Sequence, residues 1–291
     1  IRTAHPFIHA SAESAVLARR YADIRYRLLL IELIGWLAFL WLYHARGLSV
    51  AAAHWLSMRF EAPSVCLLAY LAMFGVCAYL VFLPIHVYGG FILEHRFGLS
   101  RLTWKGWIVR EAKRVSLSAV IALVLLQGLY ALFRYTPSSW PLLATVGWVL
   151  VSVGLARVFP TWLLPLFYHT TPLADASLQN RLLTLCERAG LSALGVFRFD
   201  LGAETRKANA ALAGIGQTRR VLLSDTLLEQ FAPEEIETVL AHELGHHRYR
   251  HIAKLLLLSA LETWVAFFLI DTWSPVWLGP LGLSGLADLA G

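Results

Sequence analysis

The sequence predicts a mainly α, multi-span transmembrane helical protein that also carries a small α/β unit, a sheet with a hairpin packed on one motif-bearing helix. Three observations predict it. The composition is 58% hydrophobic with a mean hydropathy of +0.60, more apolar surface than a soluble core of 291 residues hides from water. Five separate apolar stretches are roughly long enough, with their flanks, to cross a bilayer. Between residues 170 and 254 this texture gives way to that of a water-soluble domain. The expected organisation is a membrane domain over residues 1–169 with about four transmembrane helices and a polar 86–114 loop. A polar domain follows over 170–254, then a further transmembrane helix and tail over 255–291.

The first four spans are residues 28–43, 62–85, 115–133 and 141–168, the last interrupted by Arg157. Arg25 and Arg27 before the first stretch and Ala51, Ala52 and Ala53 after it have the flavour of a signal peptide. A 27-residue lead, Glu32 inside the run and the spans that follow all argue against one. The fifth stretch, 255–273, holds two acidic residues, Glu262 and Asp271, and Glu262 is expected to face a cavity or another helix. Cys66 and Cys77 lie in one apolar run, where a helix would hold them about 16 Å apart, too far for a disulfide. With Cys186 they are expected to be buried thiols.

The net charge of +6 is informative through its distribution. Lys and Arg number five in residues 1–27, two in 44–61, six in 86–114, one in 134–140 and eleven in 157–254. By the positive-inside rule the amino terminus, the 86–114 loop and the polar domain face the cytoplasm, and the two sparsely charged loops lie across the membrane.

Within the polar domain, residues 174–190 place apolar side chains at 178, 182, 183, 185 and 186 and stop at Gly190, the pattern of an amphipathic helix. Residues 195–200 alternate as a strand. Strands from Ala208 and from Val221 flank GQTRR, which predicts a hairpin. Thr226 to Glu229 matches a capping box. Pro233 with Glu234, Glu235 and Glu237 opens the next helix.

That helix carries VLAHELGHHRYRH, residues 239–251. His242 and His246 sit about 40° apart, one turn above the other, so both imidazoles reach one cation, for which Zn2+ is the natural occupant. Glu243 points about 60° from His246, close enough to take a proton from a water on the metal while staying out of the coordination shell. With 11 His and 13 Glu in the chain, roughly 0.02 chance HExxH matches are expected. His247 and His251 lie about 140° and 180° from His242 on a continuous helix, which excludes a shared ion. With Arg248, Arg250 and Lys254 they are expected to form a basic collar near the lipid headgroups.

At AHELGHH the sequence resembles the type I CAAX prenyl endopeptidases and their HtpX-like relatives, integral-membrane zinc metalloproteases. The resemblance extends to LPIHVYGGFILEHRFGLS (83–100), FPTWLLPLFYHTTPLAD (159–175), KANAALAGIG (207–216) and RVLLSDTLLEQ (220–230). It is closer to the CAAX branch, because the membrane region and the 83–100 segment look like that branch's amino-terminal half. The resemblance implies a zincin-like catalytic domain and endoproteolysis, with His242 and His246 as ligands of one Zn2+ and Glu243 as the catalytic base. It also implies that Asn209, with Ala210 and Ala211, positions substrate. Independently, that strand is rich in small residues and suits an extended peptide adding to its edge.

The expected partners are a peptide or protein substrate, prenylated or membrane-associated, and the lipid bilayer, with no nucleic acid among them. The resembled family takes a third ligand from a glutamate in a later ExxxD-type motif. The acidic residues after Glu243 are Glu262, Asp271 and Asp288, none in such a motif. On an unbroken helix Glu262 would lie about 24 Å from His246, and no Gly or Pro interrupts 247–273. The third ligand is therefore expected beyond residue 291 of a longer enzyme.

Three other readings exist. An HtpX-like quality-control protease and an inactive scaffold of the same fold both fit these residues. An intramembrane protease of the site-2 type does not, because PEEIET before the motif and RYRH after it place the helix in water or at the headgroups.

Overall fold

A computed structural model describes residues 12–191, 193–214, 218–280 and 282–288. The chain divides into two compact units, one up to Ser100 and the other Arg101–Asp288.

In the first unit, α1 (Ala12–Ala45), a short α2 (Leu48–Ser57) and α3 (Pro63–Arg96) cover the first two predicted spans. Apolar side chains such as Leu29, Leu33 and Leu37 point outward along α1. Outward apolar faces suit a helix in hydrocarbon, where the backbone is satisfied internally and the side chains meet lipid. Pro84 lies inside α3, and just after it a π turn runs from Tyr88 to Ile92. A prolyl nitrogen donates no hydrogen bond, and a π turn is a local widening of the helix often met at functional sites. The helix continues four residues further, so most of the predicted 86–114 loop is helical. Cys66 is buried, but Cys77 is exposed on the flank of its span, contrary to expectation.

In the second unit, α4 (Trp104–Tyr135), α5 (Trp140–Phe167) and α9 (His251–Leu278) are long and apolar enough to cross a membrane. Thr103 caps α4 by accepting from the Gly106 N–H. Much of the positive charge assigned to the 86–114 loop therefore lies on the first turns of α4. The indole of Trp140 on α5 donates to Asp271 of α9 at 2.6 Å, and that of Trp148 donates to Ser259 at 3.2 Å. Glu262, expected to face a cavity or another helix, is instead exposed, and it is Asp271 that is tied to a neighbouring helix.

The polar domain contains β1 (Thr170–Pro172), α6 (Ala176–Arg188), β2 (Val196–Phe199), β3 (Ala210–Ala213), β4 (Arg220–Ser224), α7 (Asp225–Gln230) and α8 (Pro233–Arg248). The sheet order is β1-β2-β4-β3: β2 runs parallel to β4, and β1 and β3 lie antiparallel at the two edges. The predicted hairpin is β3–β4, with residues 215–217 of its turn outside the described residues. Sequence periodicity missed β1, whose three residues are too few to set a period.

Capping explains where the helices begin. Asp175 accepts from the Leu178 N–H, and Gly190, at φ 72°, follows the end of α6. α7 is capped by Ser224, not by the predicted Thr226. The Ser224 hydroxyl accepts from the Leu227 N–H, and Thr226 instead bonds the Lys207 carbonyl. Glu235 at the start of α8 accepts from the Ala232 N–H at 2.8 Å.

The core places α8. Ile236, Leu240 and Leu244 form a buried stripe at four-residue spacing, packed with Leu182 and Cys186 of α6, Val196 of β2 and Val221 and Leu223 of β4. Truncating fully buried Leu240 to alanine would cost about 2–5 kcal/mol. Arg181 of α6 bonds Glu234 and Glu237 of α8 across the surface of this contact. The apolar stripe decides which way the rest of α8 points: at 100° per residue, positions 242 and 246 are turned to the side opposite Leu240.

Candidate metal centre

Among the described residues, His242, Glu243 and His246 are grouped closely enough to hold a metal ion, one potential ligand atom from each lying within 4.8 Å of the others. The Nε2 atoms of His242 and His246 are 3.3 Å apart, with the rings at right angles. Both histidines are exposed and Glu243 is partly buried. Two imidazole nitrogens converging on one point, with a carboxylate beside them, is a donor set that fits a divalent cation such as zinc.

The two later histidines do not form the expected collar. The helix breaks at Tyr249–Arg250, where Arg250 takes φ 54°, the only positive φ outside glycine among the described residues. A left-handed residue ends α8 and redirects the chain into α9, a role glycine usually fills. Nothing in residues 247–273 announces this, because an arginine carries no left-handed preference. His251 comes back beside the site: its Nδ1 is 2.8 Å from Nδ1 of His246.

His247 faces the other way. It lies about 20° from the Leu240 direction, and its Nε2–H donates to the Leu212 carbonyl of β3 at 3.0 Å. Burial pushes its imidazole below the ordinary value, opposed by that carbonyl bond, which suits a neutral ring that donates.

β3 is an edge strand, bonded to β4 alone. The Ser224 N–H donates to the Asn209 carbonyl at 2.9 Å, and the register pairs Ala211 with Leu222. Antiparallel alternation then makes 209 and 211 the residues bonded to β4, leaving the peptide groups of Ala210 and Leu212 facing the open edge. Of the three residues expected to meet substrate, Ala210 is the one whose N–H and C=O are offered outward. Asn209 has its backbone tied to β4, with its own N–H donated to the Ser224 hydroxyl at 2.8 Å and its side chain exposed. The Leu212 carbonyl is already occupied by His247.

The loop before β3 is held by charge that no sequence motif marks. Buried Asp225 accepts from the N–H groups of Leu201, Gly202 and Thr226 at 2.8–2.9 Å. Gly202 fits closely there, since a Cβ would meet Asp225 Oδ2 at 3.0 Å and press on it. Arg110 on α4 pairs with Glu204 at 2.6 Å and with the Tyr168 hydroxyl at 3.0 Å, and Arg101 donates to the Gly202 carbonyl. Burial raises the Tyr168 phenol above its usual value, with Arg110 opposing.

Long apolar helices with a sheet domain between them, presenting an HExxH helix beside an open strand edge, define a class: integral membrane proteins carrying a metallopeptidase-type site. Comparison with known proteins makes the assignment specific. Residues 11–169 match the family profile described as CAAX prenyl protease N-terminal, five membrane helices, and residues 172–274 match peptidase family M48. The chain belongs to this CAAX prenyl protease group of the M48 membrane metalloproteases. Four of its candidate spans fall within the first matched region and the fifth follows the HExxH helix.

It is 31% identical over 212 residues to CAAX prenyl protease 1 of Saccharomyces cerevisiae, which covers 72% of this chain and 46% of that protein. An uncharacterized metalloprotease of Bacillus subtilis, YhfN, is 24% identical over 92% of this chain and 63% of its own length. The crystal structure of S. mikatae Ste24p superposes with a TM-score of 0.79 at 26% identity, covering 92% of this chain and 64% of that one. The chain spans about half the length of the curated relatives it matches most strongly.

Proposed function

We propose that this protein is a zinc endopeptidase that cuts peptide bonds of membrane-associated substrates at the cytoplasmic face, and that prenylated CAAX proteins are its substrate class. The observation that carries the reading is the convergence of the His242 and His246 Nε2 atoms with the Glu243 carboxylate beside them. The similarity to proteins named CAAX prenyl protease supports the substrate class. The cytoplasmic side rests on the lysine and arginine distribution. In this reading residues 1–169 form the membrane domain, 170–254 the catalytic domain, and 255–291 a further transmembrane helix and tail.

His242 and His246 would hold the metal through Nε2. Zinc, when bound, acts as a Lewis acid on the scissile carbonyl and acidifies water at the site. Glu243 takes the proton from the attacking water and delivers it to the leaving amine. The substrate lies extended along β3, its backbone bonded to the outward N–H and C=O of Ala210, with Asn209 and Ala211 flanking that contact. His247 holds the far end of the strand to the same helix that carries the ligands, so the edge and the metal keep one fixed spacing.

The test compares wild type with Glu243→Gln in cleavage of a farnesylated CAAX peptide and its unprenylated twin. Loss of about 100-fold or more in kcat with zinc content unchanged supports the reading. Equal activity of the two proteins ends the catalytic assignment. Equal cleavage of the two peptides ends the prenyl preference.

A further inference from the structure

We infer that His251 is a positioning residue for the metal site: it accepts a hydrogen bond from His246 and holds that ligand in the tautomer that presents Nε2 to the cation. The inference rests on the reading of His242 and His246 as ligands. It starts from two distances on opposite sides of one ring. Nε2 of His246 is 3.3 Å from Nε2 of His242, and Nδ1 of the same ring is 2.8 Å from Nδ1 of His251. A neutral imidazole carries one N–H, so if Nε2 is the metal donor the proton sits on Nδ1. At 2.8 Å that proton must go to an acceptor, and the group there is Nδ1 of His251, which then carries its own proton on Nε2.

The chain does several things to put His251 there. On a continuous helix residue 251 would point about 180° from His242. The break at Arg250, in a left-handed backbone conformation that L-residues rarely adopt, turns it back towards His246. Tyr249 then stacks on the His251 ring at 5.9 Å between centroids and 24° between planes, which fixes the ring's orientation. The ring of His246 lies 5.1 Å from that of His251. Metal-bound histidines generally donate their second N–H to such a partner, which sets ring orientation and raises ligand basicity.

The test is zinc affinity, measured by chelator competition on the detergent-solubilised protein, for wild type, His251→Ala, His251→Asn and His242→Ala. Asparagine places a carboxamide oxygen near the position of the histidine Nδ1 and can accept the same bond. His251→Ala is expected to weaken zinc binding about ten- to a hundredfold, and His251→Asn to recover most of the loss. His251→Ala within twofold of wild type overturns the inference. So does a folded His251→Asn protein that binds zinc more than about tenfold more weakly than wild type, a comparison that stands even if the alanine protein does not fold. His242→Ala separates the two levels. If it abolishes binding while His251→Ala changes nothing, the ligand reading survives and this inference fails. If it binds zinc as wild type does, the ligand reading itself fails, and this inference with it.

Discussion

Proline placed at two adjacent positions of β3 should separate substrate pairing from strand stability. The register makes Ala211 a residue bonded to β4 and leaves the Ala210 N–H facing the open edge. Ala210→Pro removes no bond of the ladder, and proline is tolerated where an edge strand's N–H faces outward. Its stability cost should stay below about 1 kcal/mol. Ala211→Pro removes the donor to Leu222, whose residue is 3% exposed, and strands a buried carbonyl at a cost of about 1–3 kcal/mol. For catalysis the order reverses. Ala210→Pro deletes the outward donor that an extended substrate would use, worth about 0.5–1.5 kcal/mol net. That corresponds to a two- to twelvefold fall in kcat/KM, by about 1.4 kcal/mol per tenfold. The assay pairs thermal unfolding in detergent with peptide cleavage. Wild-type kcat/KM in a stable Ala210→Pro protein would refute substrate addition at this edge, and equal destabilisation by both prolines would refute the register argument.

Two further outcomes are expected. Asp225→Ala should destabilise the polar domain by about 3 kcal/mol or more, because three N–H groups lose a buried acceptor. Asp225→Asn keeps one oxygen and should lose less, as urea unfolding of the two variants would register. Arg250→Gly should stabilise the fold by a net of about 0.5–1 kcal/mol, read as a higher melting temperature, since glycine takes φ 54° without a Cβ penalty. A fall in melting temperature would mean that the arginine side chain stabilises the break by contacts of its own.

Much of this protein was legible before any fold was seen. Hydropathy marked all five long helices, because a span needs only length and apolar composition. The HExxH pair was legible because two residues four apart share a helix face whatever surrounds them. The amphipathic α6 and the β3–β4 hairpin were likewise local, each carrying its own period and its own stop. Sequence by itself therefore determined the long helices, most of the strands and which two imidazoles converge, but not β1 or the break at Arg250.

Tertiary structure decided the rest. Pairing of β2 with β4 and the capture of the other edge strand, β1, depend on contacts between segments far apart in the chain. So does the outward face of Ala210, since a shift of one residue in register would turn it inward. The fates of His247 and His251 show the same division most sharply. Spacing along an ideal helix sent both to the lipid surface, yet one reaches the carbonyl of Leu212 and the other the ring of His246. The physical reason is that a single left-handed arginine costs about as much as one or two hydrogen bonds return. Whether the chain adopts it is settled by the packing on either side of the break, which residue type alone does not encode.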